Sequence, residues 1–162
     1  MAKIKNPITF TMQFPTVELE FKNTGAIDIV LNADTPLFID PMLLSKSKSN
    51  IWAKNGLQKY NTFFEQAIKL LKAVRARDNN DTVWRNLSKR FLFTEINYTC
   101  LGYGAGKGSG WGPDLVNRTL NTAKDIVDLG IEDIDFFMAL ALFEEGIGAD
   151  RISDMVTNIL CD

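Results

Sequence analysis

The chain of 162 residues contains no histidine, only two cysteines and no long apolar run. Without histidine it has no Ser-His-Asp or Cys-His nucleophile system, no imidazole base and no histidine ligand for zinc. Cys100 and Cys161 are too few for a disulfide framework or a zinc cluster, so we expect a reducing compartment. The longest apolar run, Phe136 to Phe143, is far shorter than the roughly 20 residues that span a bilayer.

The N-terminal segment also lacks the apolar stretch that a secretory signal requires. These two absences predict a cytoplasmic protein without a membrane partner. The composition, 46% hydrophobic and 23% charged residues, is that of a globular protein. The length fits one compact domain.

Two kinds of hydrophobic periodicity divide the sequence. Apolar and polar residues alternate over residues 8–14, 17–21 and 27–31, which is typical of half-buried strands, and Gly25 fits the turn of a hairpin. A short buried strand is also expected over residues 37–39. From Leu57 onwards, apolar spacings of three and four residues predict helices instead. We therefore expect an α+β fold: an antiparallel sheet region over residues 1–44, a polar loop over 45–55, and a helical region of four to five helices over 56–162.

The helical region carries local start and stop signals. A helix is predicted from Leu57 to Val74, and a second helix follows a cap within residues 78–81. Pro113 opens a third helix that Gly130 ends, and the apolar run from Phe136 predicts a buried helix. The apolar stripe of the last helix continues to Leu160 without a stop signal. The sequence is therefore interpreted as the N-terminal part of a longer protein, with an ordinary terminus as the alternative.

Charge is distributed unevenly, although the formal net charge is only −2. Residues 46–90 contain eleven Lys or Arg against three Asp or Glu, whereas residues 91–162 contain four against twelve. A basic segment of this kind either binds a polyanion or is attracted to the acidic half of the same chain. The sequence leaves both interpretations open.

A glycine run over residues 102–112 holds six of the eleven glycines, at every second position, and precedes a predicted helix. Backbone N–H groups in such a run can cradle a phosphate, although its spacing is not that of a P-loop. The candidate phosphate-binding residues are Gly104, Gly106, Lys107, Gly108, Ser109 and Gly110. The alternatives are a flexible loop or a close-packed crossing, and Tyr103 and Trp111 either stack on bases or anchor the loop to the core.

Four carboxylates form a second candidate site. Asp40 lies at the end of a predicted strand, Glu95 lies in or beside another strand, and Asp150 and Asp154 share a face of the last helix. Converging carboxylates hold Mg²⁺ or Mn²⁺ and activate water against a phosphodiester without histidine. The alternative roles are an N-cap for Asp150, a turn for Asp40 and surface charge for Asp154.

Three segments carry a family resemblance: Leu-Phe-Ile-Asp-Pro at 37–41, the glycine run, and Gly-Ala-Asp-Arg-Ile-Ser-Asp-Met at 148–155. Together they resemble the ordered signatures of a group of uncharacterised prokaryotic proteins. Some members are met in phage-defence or mobile-element contexts, so the resemblance implies a defence context. It transfers no catalytic role to any residue.

The leading functional hypothesis is a phosphate- or nucleic-acid-binding part of a defence-related protein, with metal-dependent phosphodiester hydrolysis as an added activity. The alternative is a non-catalytic interaction or scaffolding module that pairs with missing sequence, a protein partner or another copy of the chain. Catalytic residues are not assigned, and the sequence leaves open whether the protein is an enzyme.

Overall fold

The computed structural model describes residues 6–33, 35–36, 38–96, 100–101 and 110–161. Their contacts divide the chain into two units. The N-terminal unit comprises residues 1–37 and 97–107, and the helical unit comprises residues 38–96 and 108–162. Within the described ranges, no helix combines the length and the hydropathy needed to cross a membrane.

The N-terminal unit contains short elements. These are helix α1 (Phe10–Gln13), a 3₁₀ helix (Pro15–Val17), helix α2 (Glu18–Thr24), and strands β1 (Thr35–Pro36) and β2 (Cys100–Leu101), which pair antiparallel. Thr9 caps α1 by accepting a hydrogen bond from the N–H of Met12. An isolated bridge joins Thr9 to Val30.

The predicted N-terminal antiparallel sheet, and with it the α+β fold class, is wrong. The segments around Phe10 and Phe21 are helical, and described residues 38 and 39 lie outside any strand. Phe10, Phe14, Val17 and Phe21 also satisfy helical spacing, so one set of apolar residues fits both periods. The ring of Phe10 lies 5.0 Å from that of Phe14 and 5.4 Å from that of Phe21. Gly25 has the expected left-handed conformation, with φ +68°, but it ends α2 instead of turning a hairpin.

The helical unit begins with two irregular helical segments, a 3₁₀ helix (Pro41–Lys46) and a π-helical turn (Ile51–Gly56). The sequence predicts a sheet region up to residue 44 and a polar loop over residues 45–55, whereas residues 51–55 are helical. Five further α-helices and one 3₁₀ helix are described after them. These are α3 (Leu57–Ala73), α4 (Thr82–Arg90), α5 (Pro113–Asp128), the 3₁₀ helix Ile134–Phe137, α6 (Leu140–Phe143) and α7 (Ala149–Cys161).

Helix α3 is the centre of the helical unit, because it contacts α4, α5 and α7. It buries one apolar stripe, and Phe64 in the middle of that stripe is fully buried. The Phe64 ring stacks on Phe137 at 4.3 Å and lies 4.7 Å from the ring of Tyr60. The lysines of α3 lie outside this stripe and are exposed, as the sequence predicts.

Several local predictions for the helical unit are confirmed. Asp81 caps α4, Pro113 opens α5, and Gly130 follows α5 with a φ of +87°. The predicted buried helix from Phe136 to Phe143 is instead interrupted before Leu140. Phe143, the last residue of the apolar run, is more than half exposed, so the run is not buried throughout.

Candidate functional site

The glycine run lies almost entirely outside the described residues. Gly104, Gly106, Lys107, Gly108 and Ser109 belong to that part, as does Tyr103, and their proposed contact with phosphate stays a prediction. Gly110 is described, and its α-carbon lies against main chain: a β-carbon there would come within 2.7 Å of the Phe93 carbonyl oxygen. Position 110 therefore requires glycine for close packing, whereas a β-carbon at Gly112 would meet no atom within 4 Å.

Trp111, directly after this glycine, is anchored to the core. Its main-chain N–H donates to the Phe93 carbonyl at 2.8 Å, and its indole Nε1–H donates to the Arg151 carbonyl at 3.1 Å. The side chain is 3% exposed. Of the two roles that the sequence allowed, anchoring is the one that this burial supports, because a ring that stacks on a base must be accessible.

Helix α7 gathers the segments that carry the four candidate carboxylates. The Ile39 N–H donates to the Ser153 hydroxyl, and the Ile96 N–H donates to the Asp154 carboxylate at 3.1 Å. The side-chain amide of Asn158 accepts hydrogen bonds from the main-chain N–H and the hydroxyl of Thr94 and donates one to the Thr94 carbonyl. Residues 94–96 are thereby fixed along one side of the helix.

The four carboxylates themselves do not form a cage. Asp40 caps the 3₁₀ helix Pro41–Lys46 by accepting from the N–H of Met42. Glu95 and Asp150 lie close enough to Asp154 to act on it electrostatically. Across the described ranges, no group of three or more Asp, Glu or Cys side chains is arranged to hold a metal ion. Asp40, Glu95, Asp150 and Asp154 are therefore not assembled into the predicted Mg²⁺ or Mn²⁺ site.

The carboxyl group of Asp154 has a shifted pKa. Burial raises its pKa above the usual value, and the negative charges of Glu95 and Asp150 raise it further. The hydrogen bond from Ile96 and the charge of Arg151 act in the opposite direction without cancelling the shift. A native state that holds this proton more tightly than the unfolded state is stabilised at low pH and loses that stabilisation as the pH rises through the native pKa.

Replacing Asp154 by asparagine is therefore expected to raise the melting temperature at neutral pH. The substitution removes the buried charge and keeps an oxygen that accepts from the Ile96 N–H. Thermal melting of both proteins at neutral pH and near pH 4 checks this, because the advantage of Asp154→Asn should shrink as the wild-type carboxyl becomes protonated. An advantage that is independent of pH, or a less stable variant at neutral pH, would contradict the assigned cause.

Part of the basic segment does pair with the acidic half of the chain. Lys72 forms a salt bridge with Glu132, and Arg77 pairs with Asp125 at 2.6 Å and with Asp128 at 3.4 Å. Both interpretations of the charge distribution can therefore apply, each to a different subset of the cations.

The larger subset makes no ion pair with any described carboxylate, and all of its members are exposed. These cations are Lys46, Lys48, Lys54, Lys59, Lys69, Arg75, Arg85, Lys89 and Arg90. Exposed like charges repel one another, and ions from solution relieve that repulsion. A surface of this composition favours an anionic ligand.

Two of these cations, Lys59 of α3 and Arg90 of α4, line a groove between the two helices. This α3–α4 groove has a volume of about 390 Å³. Around the cations it is lined by Asn55, Gln58, Thr62, Phe63, Gln66 and Ile159. The carboxylates of the described residues are absent from its lining, so its charged groups are positive.

Both cations of the α3–α4 groove are held in place. The Arg90 guanidinium lies 5.0 Å from the centre of the Phe63 ring, and its Nη2–H donates to Gln66 Oε1 at 3.1 Å. The Lys59 ammonium donates to the Leu160 carbonyl at 3.2 Å. Each cation keeps further N–H donors beyond the one used inside the protein. The groove thus presents oriented donors together with positive charge.

A second groove lies on the other side of α4. This α4–α5 groove, of about 210 Å³, contains Arg85 and Lys89 together with the amides of Asn79 and Asn117. Its lining, like that of the first groove, includes no carboxylate from the described chain. Helix α4 therefore separates two basic grooves and contributes Arg90 to the first and both Arg85 and Lys89 to the second.

Asp81 fixes the start of this basic helix. Its carboxylate accepts hydrogen bonds from the main-chain N–H groups of Arg75, Ala76, Val83 and Trp84. These bonds, led by the one from Arg75, lower the pKa of Asp81 to about 2. The cap is therefore ionised throughout the neutral range, and it links the end of the α3–α4 connection to the helix.

Neither Lys59 nor Arg90 is among the candidate phosphate-binding or metal-binding residues predicted from the sequence, although Lys59 lies on the basic face of the first predicted helix. The excess of basic residues over positions 46–90 gave the signal, and the lysines of α3 fell on its polar face. What the pattern could not show is the pairing of cations: Lys72 and Arg77 reach carboxylates far away in the sequence, whereas Arg90 reaches Phe63 and Gln66.

Comparison with known protein families shows the family of this chain. The family model described as a domain of unknown function, DUF8370, matches residues 16–162. Neither the curated proteins nor the solved structures contain a match to this chain.

Proposed function

The chain belongs to the DUF8370 family, and from its surface chemistry we propose that the helical unit binds nucleic acid through the phosphate backbone. One observation supports this proposal above the others. The cations of the basic segment that lack a carboxylate partner among the described residues include all four that line the two grooves beside α4. These four are Lys59, Arg85, Lys89 and Arg90.

A phosphate backbone satisfies this surface in a way that isolated anions do not. Each Lys or Arg that neutralises a phosphate releases condensed counterions from the nucleic acid, and this release drives binding at low salt. Cations on both sides of one helix fit a ligand whose charge is repeated along its length. The surrounding amides add neutral donors of the kind that contact phosphate and sugar.

The glycine run would add further phosphate contacts, but the proposal does not depend on them. Lys107 and the neighbouring glycines lie outside the described residues, and their contact with phosphate rests on the sequence pattern alone. The defence context likewise rests on the family resemblance. Lys107→Ala is therefore a separate variant in the binding assay, and its effect does not decide the role of α4.

A second candidate function is the docking of a protein partner. Two adjoining cavities of about 330 and 340 Å³ share Phe38, Ile39 and Asp40 as lining residues. The large side chains of Met42 and Trp52, each in the lining of one cavity, are strongly exposed. Exposed apolar groups gathered around cavities favour an interaction module.

Salt dependence of binding tests the proposed function. For a single-stranded oligonucleotide, the logarithm of the association constant should fall against the logarithm of the salt concentration by about 0.7 for each neutralised phosphate. Four groove cations therefore predict a slope of about −3. Fluorescence anisotropy of a labelled oligonucleotide measures it. Absence of binding at low salt, or a slope near zero, would reject the proposal.

A further inference from the structure

The α3–α4 groove differs from the rest of the basic surface in shape. It is a concavity of about 390 Å³, within the range of small-molecule binding sites, whereas the α4–α5 groove holds about 210 Å³. Within the nucleic-acid-binding function proposed above, on which this inference rests, we propose that the α3–α4 groove takes one unpaired nucleotide of a single strand. Arg90 binds the phosphate of that nucleotide.

The concave shape selects against duplex ligands. A double helix presents phosphates on a convex surface and keeps its bases stacked inside, so it contacts the rim of a groove and leaves the interior empty. Proteins that recognise single strands admit bases that are already unstacked and hydrogen-bond their edges. The α3–α4 groove has the volume for such a group and, among the described residues, no carboxylate to repel its phosphate.

Arg90 is suited to a phosphate by its fixed orientation. Its guanidinium packs over the Phe63 ring, with 5.0 Å between the guanidinium carbon and the ring centre, and it donates one hydrogen bond to Gln66. These two contacts restrict the plane of the fork while leaving other N–H groups to donate. A planar fork binds a phosphate through two parallel hydrogen bonds, which the single ammonium group of lysine does not reproduce.

The remaining lining supplies groups for the sugar and the base. Lys59, anchored by the Leu160 carbonyl, adds a second positive charge. The amides of Asn55 and Gln58 each offer both a donor and an acceptor, and so does the hydroxyl of Thr62. Asparagine and glutamine amides use this pair of atoms to hydrogen-bond a base edge. The groove therefore combines phosphate recognition with neutral polar contacts.

The substitution Arg90→Lys separates two-bond recognition of a phosphate from general electrostatic attraction. It keeps the positive charge and removes the planar guanidinium group. Anisotropy titrations use a labelled single-stranded oligonucleotide of mixed sequence and the duplex of the same length. For wild type we expect the single strand to bind about tenfold more tightly than the duplex, and Arg90→Lys to lose about tenfold in single-strand affinity, close to the loss for Arg90→Ala. Duplex binding should change by less than about twofold with Arg90→Lys.

Lys69→Ala is the matched control, since Lys69 is an exposed cation of α3 without an ion-pair partner in the described chain and lines neither basic groove. It should weaken single-strand and duplex binding equally. Arg90→Lys behaving like this control, or equal wild-type affinity for both ligands, overturns the nucleotide site while leaving the proposed function standing. Failure of wild type to bind either ligand overturns both. Circular dichroism of each variant confirms that the fold is retained.

Discussion

Replacing Lys59 and Arg90 together by glutamate is expected to reduce nucleic-acid affinity by at least about a hundredfold at low salt. The double substitution puts two carboxylates into the α3–α4 groove, whose described lining now contains none. The negative groove would then repel the phosphate backbone that the two cations are proposed to bind. Anisotropy with a single-stranded oligonucleotide measures the loss.

The control for this reversal is Lys46→Glu together with Lys48→Glu. Both residues are exposed cations of the same basic segment, without an ion pair to any described carboxylate, and both lie outside the linings of the two grooves. The control changes the net charge by the same amount. A comparable loss of affinity in both double variants would mean that total charge, and not the groove, decides binding.

Phe64→Ala is expected to destabilise the helical unit by about 3–5 kcal/mol. Phe64 is fully buried in the middle of α3 and its ring contacts those of Tyr60, Phe63 and Phe137. Truncation leaves a cavity in the helix that α4, α5 and α7 pack against. A loss of this size is a large fraction of the 5–15 kcal/mol that typically separates folded from unfolded domains. Urea unfolding, followed by circular dichroism, measures it.

The same substitution at Phe143 is the control. Phe143 lies in the helical unit, but its side chain is 58% exposed. Its replacement by alanine should change the free energy of unfolding by no more than about 0.5 kcal/mol. Equal losses at the two positions would contradict the assignment of Phe64 to the core.

The helices of the helical unit could be predicted because several local signals agree there. In α3 the buried residues recur at helical spacing, and α4 adds a capping aspartate, Asp81. In α5, Pro113 opens the helix and Gly130 follows its end. Periodicity and termini thus point to the same structure, and a helix that satisfies both has little competition from a strand.

The N-terminal segment offers no such agreement. Phe10 and Phe14 fit an alternating strand as well as one turn of helix. The strand interpretation requires the apolar face to be buried and the polar face to be exposed. In the structure Met12, on the same predicted face as these residues, is 65% exposed. In short segments that bury little apolar surface, local contacts such as the Thr9 cap determine whether a helix or a strand forms. The alternation of apolar and polar residues does not show such contacts.

The candidate site was only partly accessible to sequence reasoning. A count of charges located the basic segment, but it could not distinguish Arg77, which reaches Asp125, from Arg90, which packs on Phe63. That difference depends on contacts between residues far apart in the sequence. Acidic candidates such as Asp40 and Asp154 were recognised as chemistry-bearing groups, whereas the structure uses their carboxylates to accept main-chain N–H groups.

The salt dependence of oligonucleotide binding, compared between wild type and the Lys59→Glu, Arg90→Glu protein, tests the central claim most directly. If the cations beside α4 neutralise phosphates, losing two of the four should reduce the wild-type slope of about −3 to about half. Identical slopes for the two proteins would show that the phosphates are neutralised elsewhere on the chain, and would contradict the account.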